Sequence, residues 1–249
     1  MELLDKTTEN GGIRINKYLS QAGVLSRRKA DEALMNGEIT INGRTAVPGD
    51  KVLLNDKICY RGKEVSVSTR KKVILAYNKP LGLVCTSKEA DKDSIFRKLD
   101  YPEMLYYVGR LDKNSYGLLL LTNDGELANQ IQKAHNNHEK EYVVKVNKPI
   151  TKSFVEGLIK GVPLEERTTK PCKIIRVRTE EGYDRYTFRI IITEGINHQI
   201  RRMCEYFDYK VVSLKRIRVM NIKLGNLALG QYRELTEQEE ATLRRLTKG

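Results

Sequence analysis

Gly109-Arg110-Leu111-Asp112 leads through Lys113-Asn114-Ser115-Tyr116 into Gly117-Leu118-Leu119-Leu120-Leu121-Thr122-Asn123-Asp124-Gly125. The leucine run is too short for a helix of its own and reads as a buried strand. Asn123-Asp124-Gly125 is a turn that ends it. The strand carries the chain inward and leaves Asp112 at the rim of a buried element. Arg110, two residues earlier, is placed to bias the charge of that carboxylate. An isolated Arg-x-Asp also describes a structural ion pair at a strand entrance, so the rest of the chain has to decide between the two.

Working outward, Asp124 or Gly125 begins a helix through Leu127, Ile131 and Ala134. Leu105–Val108 is extended, and Val73–Tyr77 starts a new core. Asn78-Lys79-Pro80-Leu81-Gly82 must turn, because proline does not serve a central strand. A short helix is expected near Ser94–Leu99. Tyr142–Val146, Lys173–Arg178, Tyr186–Thr193 and Val211–Val219 read as strands, and Thr151–Ile159 as a helix. A further helix is expected from about Gly195. Its stripe is Ile196, Ile200, Met203, Cys204 and Phe207, with His198, Arg201 and Arg202 on the other side. Thr236-x-x-Glu239 is a capping box for the last helix. Irregularly spaced strands and helices predict an α+β fold with a mixed, mostly antiparallel sheet.

The segment before this is different. Ile15, Tyr18, Leu19 and Ala22 predict a helix from about Arg14 that stops at Gly23. Ser26 is the N-cap expected for a second helix carrying Ala30, Ala33 and Leu34. Asn42-Gly43 predicts a hairpin after Ile39 and Ile41. A second pair of short strands is expected at Val52–Leu54 and Ile58–Tyr60. The free N–H groups at the start of the second helix, together with Arg27-Arg28-Lys29, make a seat for phosphates.

The chain has 249 residues, with 45 basic and 32 acidic. Residues 1–72 hold 14 basic and 9 acidic residues, so the excess runs through both parts and suits a long polyanionic footprint. Four dispersed cysteines without a C-x-x-C argue against disulfides and a thiol metal site. His135 and His138 find no completing ligands. No apolar run approaches the ~18–20 residues of a membrane span, and Met1–Gly12 lacks the apolar core of a secretory signal. No phosphate-loop or dinucleotide motif is present. The expected protein is cytoplasmic, with no cofactor, no metal and no membrane partner.

The stretch Arg14-Ile15-Asn16-Lys17-Tyr18-Leu19, then Ala22-Gly23-Val24, Ser26-Arg27-Arg28, and Gly37-Glu38-Ile39-Thr40-Ile41-Asn42-Gly43 resembles an S4 RNA-binding domain. The run from Gly109 to Gly125 resembles the catalytic motif of pseudouridine synthases of the RsuA/RluB/RluF type. Glu139-Lys140-Glu141-Tyr142-Val143-Val144 and Glu194-Gly195-Ile196-Asn197-His198-Gln199-Ile200-Arg201-Arg202-Met203 resemble that family's second and third motifs. His138–Tyr142 and Arg202–Glu205 are most similar to the RluF subgroup. Ser115, where many relatives carry threonine, and Tyr116 depart from the pattern.

The resemblance implies a leader at 1–12, an S4 module at 13–62, a linker at 63–72 and a catalytic domain at 73–249. It implies isomerisation of uridine to pseudouridine in 23S ribosomal RNA by a monomer. Transfer RNA as substrate, or a non-catalytic ribosome-assembly factor, are the alternatives. Asp112 is then the nucleophile, and direct attack and a glycal route both stay open. Tyr142 stacks on the flipped base and moves a proton at C5. Arg201 pairs with Asp112 and keeps it ionised. Arg14, Lys17, Ser26, Arg27, Arg28, Lys29, Arg110, His198 and Arg202 are the expected RNA contacts.

Overall fold

The computed structural model describes residues 11–65, 71–86, 91–132 and 137–248. Most of the expected leader, the centre of the expected linker and His135 lie outside them. The chain divides into two compact units, the first of residues 1–72 with Pro102–Met104, the second of Val73–Tyr101 with 105–249.

In the first unit, strand β1 (Ile13–Arg14) runs directly into helix α1 (Ile15–Gln21), and α2 (Arg27–Met35) follows. Ser26 caps α2, its hydroxyl accepting from Lys29 N at 3.3 Å. Strands β2 (Ile39–Ile41) and β3 (Arg44–Thr45) form the hairpin, with Asn42 and Gly43 both at positive φ. That is the geometry a two-residue turn between twisted strands requires. The expected second strand pair does not pair with itself. β4 (Lys51–Val52) pairs with β1, and β5 (Ile58–Tyr60) joins β2. Asp56 closes the intervening turn by accepting from Leu53 N at 2.7 Å. Lys63–Val65, assigned above to the linker, is strand β6 on β5. Ile15, Leu19, Ala30, Ile39 and Ile58 fill the core of this unit.

The second unit is built on one sheet. Its strands are β7 (Ile74–Lys79), β8 (Tyr106–Val108), β9 (Tyr116–Thr122), β10 (Lys140–Val146), β11 (Lys173–Thr179), β12 (Gly182–Ile192), β13 (Val211–Val219), β14 (Ile222–Lys223) and β15 (Tyr232–Glu234). The order is β11-β12-β10-β13-β9-β7-β15, with β8 on β9 and β14 on β13. Every pair is antiparallel except β9 with β13, which is parallel for two rungs, Tyr116 with Lys215 and Gly117 with Arg216. The fold is α+β with a mixed sheet, as the sequence predicts.

Helices α3 (Ile95–Lys98), α4 (Gly125–Gln132), α5 (Lys152–Lys160), α6 (Gln199–Glu205) and α7 (Glu237–Lys248) complete the unit. Ser94, Thr151 and Thr236 accept from the backbone N–H groups of Phe96, Phe154 and Glu239, and Glu239 Oε2 accepts in turn from Thr236 N at 3.0 Å. α6 begins four residues later than expected. His198 sits in the left-handed region at φ 50°, and Gln199 Oε1 accepts from Ile196 N, so 195–198 is a loop.

The two-rung pair fixes the site. Among the described residues no further rung joins β9 to β13. Gly117, at φ 102°, lies so close that a Cβ there would sit 2.3 Å from Arg216 O. Only glycine permits that approach. Leu119, Leu121, Tyr142, Val144, Phe188 and Leu214 pack in the core beside it, and Ile74, Leu118, Leu120, Leu127 and Leu243 in a second. No helix among the described residues is long and apolar enough to cross a membrane.

Candidate active site

A cavity of about 430 Å³ lies over β10 and β13 beside the loop before β9, lined among others by Asp112, Tyr142, His138, Lys140, His198 and Arg216. Its volume is in the range of small-molecule sites.

Asp112 is 30% exposed at the cavity edge. Its loop is held by four successive carbonyls, each with its own donor. Asp112 O accepts from Ser115 N at 3.0 Å and Lys113 O from Gly82 N at 2.9 Å. Asn114 O accepts from Arg201 Nη2 at 2.6 Å and Ser115 O from Lys79 Nζ at 2.8 Å. Lys79 is fully buried and also donates to Pro80 O. Burial pulls its pKa down, against the attraction of Cys85 and Asp112.

Arg201 therefore does not pair with Asp112, contrary to the expectation above. Its other bond goes to Val211 O at 3.3 Å. The reason is reach: from α6 the guanidinium meets the back of the Asp112 loop, not its carboxylate. His198 does face that carboxylate, its Nε2 lying 3.5 Å from Asp112 Oδ1. His198 was expected on RNA; its left-handed backbone turns it into the site instead. Arg202, also expected on RNA, makes a bidentate pair with Glu166 at 2.8 Å. Arg110 is exposed and lines the cavity.

Tyr142 is 8% exposed and lines the same cavity as Asp112. The loop carrying His198 is tied down by buried Glu194, which accepts from Arg167 Nη2, Lys170 N and Gln199 Nε2 at 2.8–2.9 Å. Arg14, Arg27, Arg28 and Lys29 are exposed in the first unit, while Lys17 and Ser26 are half-buried.

Three lining residues escaped the sequence reading of the site: His138, Lys140 and Arg216. A signal existed for two. Lys140 shares strand parity with Tyr142, Val144 and Val146, and Arg216 with Leu214, so each is a cation on an apolar face. Arg216 is 1% exposed and spans the fork of the sheet. Its Nε donates to Leu118 O at 2.7 Å and its Nη1 to Arg110 O at 3.3 Å. Burial and repulsion by Arg216 push the Lys140 pKa down to about 8. Among the described residues no group of His, Cys, Asp and Glu is arranged to hold a metal.

The model for RNA pseudouridylate synthases matches residues 73–206, and the S4 domain model matches 13–58. The chain belongs to the RNA pseudouridylate synthase family. The dual-specificity RNA pseudouridine synthase RluF of Salmonella typhi is 42% identical over 95% of this chain and 80% of its own length. The ribosomal large subunit pseudouridine synthase B of Bacillus subtilis is 34% identical over 94% of this chain and 96% of its own. A crystal structure of a pseudouridylate synthase superposes with a TM-score of 0.66 at 28% identity, over 94% of this chain and all of that one. The protein is thus an RNA pseudouridine synthase with an N-terminal S4 domain, and RNA is its substrate.

Proposed function

We propose that this synthase isomerises a uridine of 23S ribosomal RNA, with Asp112 as the nucleophile. The juxtaposition of Asp112 and Tyr142 in one cavity carries the reading. A base inside a duplex is out of reach, so the target nucleotide leaves the stack and enters the cavity. Tyr142 offers it an aromatic face, which offsets part of the unstacking cost, about 1–3 kcal/mol per base. The Asp112 carboxylate attacks C1′, the N1–C1′ bond breaks with its electron pair on N1, and the ring turns. C5 then joins C1′, Asp112 leaves, and the C5 proton is replaced by one on N1. The reaction is redox-neutral and balanced within the substrate, so no external donor is required. Arg110 and the cations of the S4 domain supply backbone contacts.

Transfer RNA is a second substrate class on this reading. It is favoured by the dual-specificity names of relatives that are 41–42% identical. Both are tested by mapping carbodiimide stops in ribosomal and transfer RNA from cells with and without the protein. Asp112→Asn should leave a folded, RNA-binding protein that makes no pseudouridine. Residual turnover by that variant, with reversion to aspartate excluded by mass analysis, removes Asp112 from its role.

A further inference from the structure

Lys140 and Arg216 are two cations in one cavity, and neither has a carboxylate partner among the described residues. The nearby acids are committed elsewhere. Glu141 points to the opposite face of the sheet, bonded by Arg189 and by Arg218 at 2.8 Å. Glu194 is saturated by Arg167, Lys170 and Gln199. Lys140 Nζ holds a single carbonyl, His138 O, at 3.3 Å. Arg216 Nη2 is buried without any partner. A fold that buries like charges in this way gives up stability, and such sites are where a ligand supplies the missing partner.

A third group completes the set. His138 Nδ1 lies 2.9 Å from Ile131 O, a carbonyl, so Nδ1 carries the proton. In the neutral ring Nε2 is then the acceptor, and it too is buried without a partner. The lining of one cavity thus holds two donors and one acceptor. The O2, N3–H and O4 edge of uracil is acceptor, donor, acceptor.

We propose that His138, Lys140 and Arg216 read the uracil ring by that edge, His138 Nε2 accepting from N3–H and the two cations donating to the two carbonyl oxygens. The inference rests on the function proposed above and adds to it the groups that select and hold the base. The chemistry of the reaction favours this set. Exchanging N1 for C5 at the ribose turns the ring about its N3–C6 axis. O2 and O4 trade places, while N3–H stays where it was. An acceptor on the axis with a cation on either side serves the ring before and after the turn. The detached ring is an anion whose charge is spread over both oxygens, and the same two cations take it up. Cytosine presents a lone pair at N3 and an amino group at C4, which leaves His138 and one cation facing groups of their own kind.

The test uses the full-length protein on unmodified 23S and transfer RNA transcripts, with single-turnover pseudouridine formation and RNA affinity measured separately. Lys140→Met should fold, since it removes a charge that is costly to bury. It should bind RNA within about twofold of wild type and react about a hundredfold slower. His138→Leu should lose about tenfold or more at unchanged affinity.

The pH profile gives the decisive signature. The charged and titratable groups that line the cavity with Lys140 are Arg216 from β13, which repels its ammonium, Asp112 and Arg110 from the loop before β9, His138, and Glu194 and His198 from the loop before α6. Lys140, at about 8, is protonated below that pH, so the wild-type rate should fall as pH rises through it. Lys140→Arg should carry the plateau to higher pH. A fall that stays in place in Lys140→Arg belongs to the RNA and overturns the assignment. So does a rate within threefold of wild type in Lys140→Met, or a loss in His138→Leu that lies in affinity alone. A wild-type protein inert on both transcripts would instead overturn the proposed function and the inference with it.

Discussion

Lys140 and Tyr142 stand two residues apart on β10 and face the same cavity. The lysine is there at a cost. Its pKa falls from the ordinary 10.5 to about 8, because burial and Arg216 disfavour its charge. The folded state binds this proton less tightly than the unfolded chain, so the penalty is full below pH 8 and relieved as pH rises toward 10.5. It amounts to roughly 3 kcal/mol at most. Lys140→Met should therefore raise the melting temperature at pH 7, and the gain should shrink at pH 10, as calorimetry can measure. Tyr142→Phe makes the contrasting prediction. It keeps the aromatic face, so RNA affinity should hold while turnover drops strongly if the hydroxyl moves the C5 proton. Asp112 and Tyr142 were readable from motif and strand pattern. Lys140 and Arg216 left a fainter trace, as cations on apolar strand faces, whereas His138 left none, because its significance lies in a partner it lacks, and a missing partner has no sequence signature.

At the scale of elements, the loop from Asp112 to Ser115 is the part the sequence misled on. The third motif points to Arg201, but spacing along a helix does not say whether a guanidinium reaches a carboxylate or the loop behind it. The structure gives Arg201 to Asn114 O and Val211 O. Arg201→Ala should leave two carbonyls short of a donor and cost about 1–3 kcal/mol. It should lower turnover through the loop. Because Arg201 and Asp112 do not touch, their effects on unfolding free energy should add to within about 0.5 kcal/mol in a double-mutant cycle. A larger coupling would restore the ion pair that the motif implies. The late start of α6 has a similar origin. An apolar stripe from Ile196 predicts helix, and Gln199 and Glu194 override it by holding 195–198 as a loop. The strands were easier. Val211–Val219 and the leucine run follow from apolar pattern alone, whereas the two-rung fork between β9 and β13 depends on Gly117 meeting Arg216, which is far away in sequence.

Over the whole molecule, the basic excess is shared between a small module and a larger unit that holds the cavity. The module carries exposed Arg27 and Arg28 in the first turn of α2, whose start is capped by Ser26. Neither arginine lies in the unit that contains Asp112 and Tyr142. Their contribution should therefore be to affinity rather than to chemistry. Removing a cation that neutralises one phosphate lowers the dependence of log affinity on log salt by about one. The double variant Arg27→Ala, Arg28→Ala should bind RNA more weakly at low salt, with a slope flatter by up to about two. The difference from wild type should narrow as salt rises, because screening removes the same contribution from both proteins. At saturating RNA the single-turnover rate should remain within a few fold of wild type. A salt slope unchanged by the double substitution would place these arginines off the RNA. A collapse of the saturated rate with binding intact would instead tie the S4 domain to the chemical step.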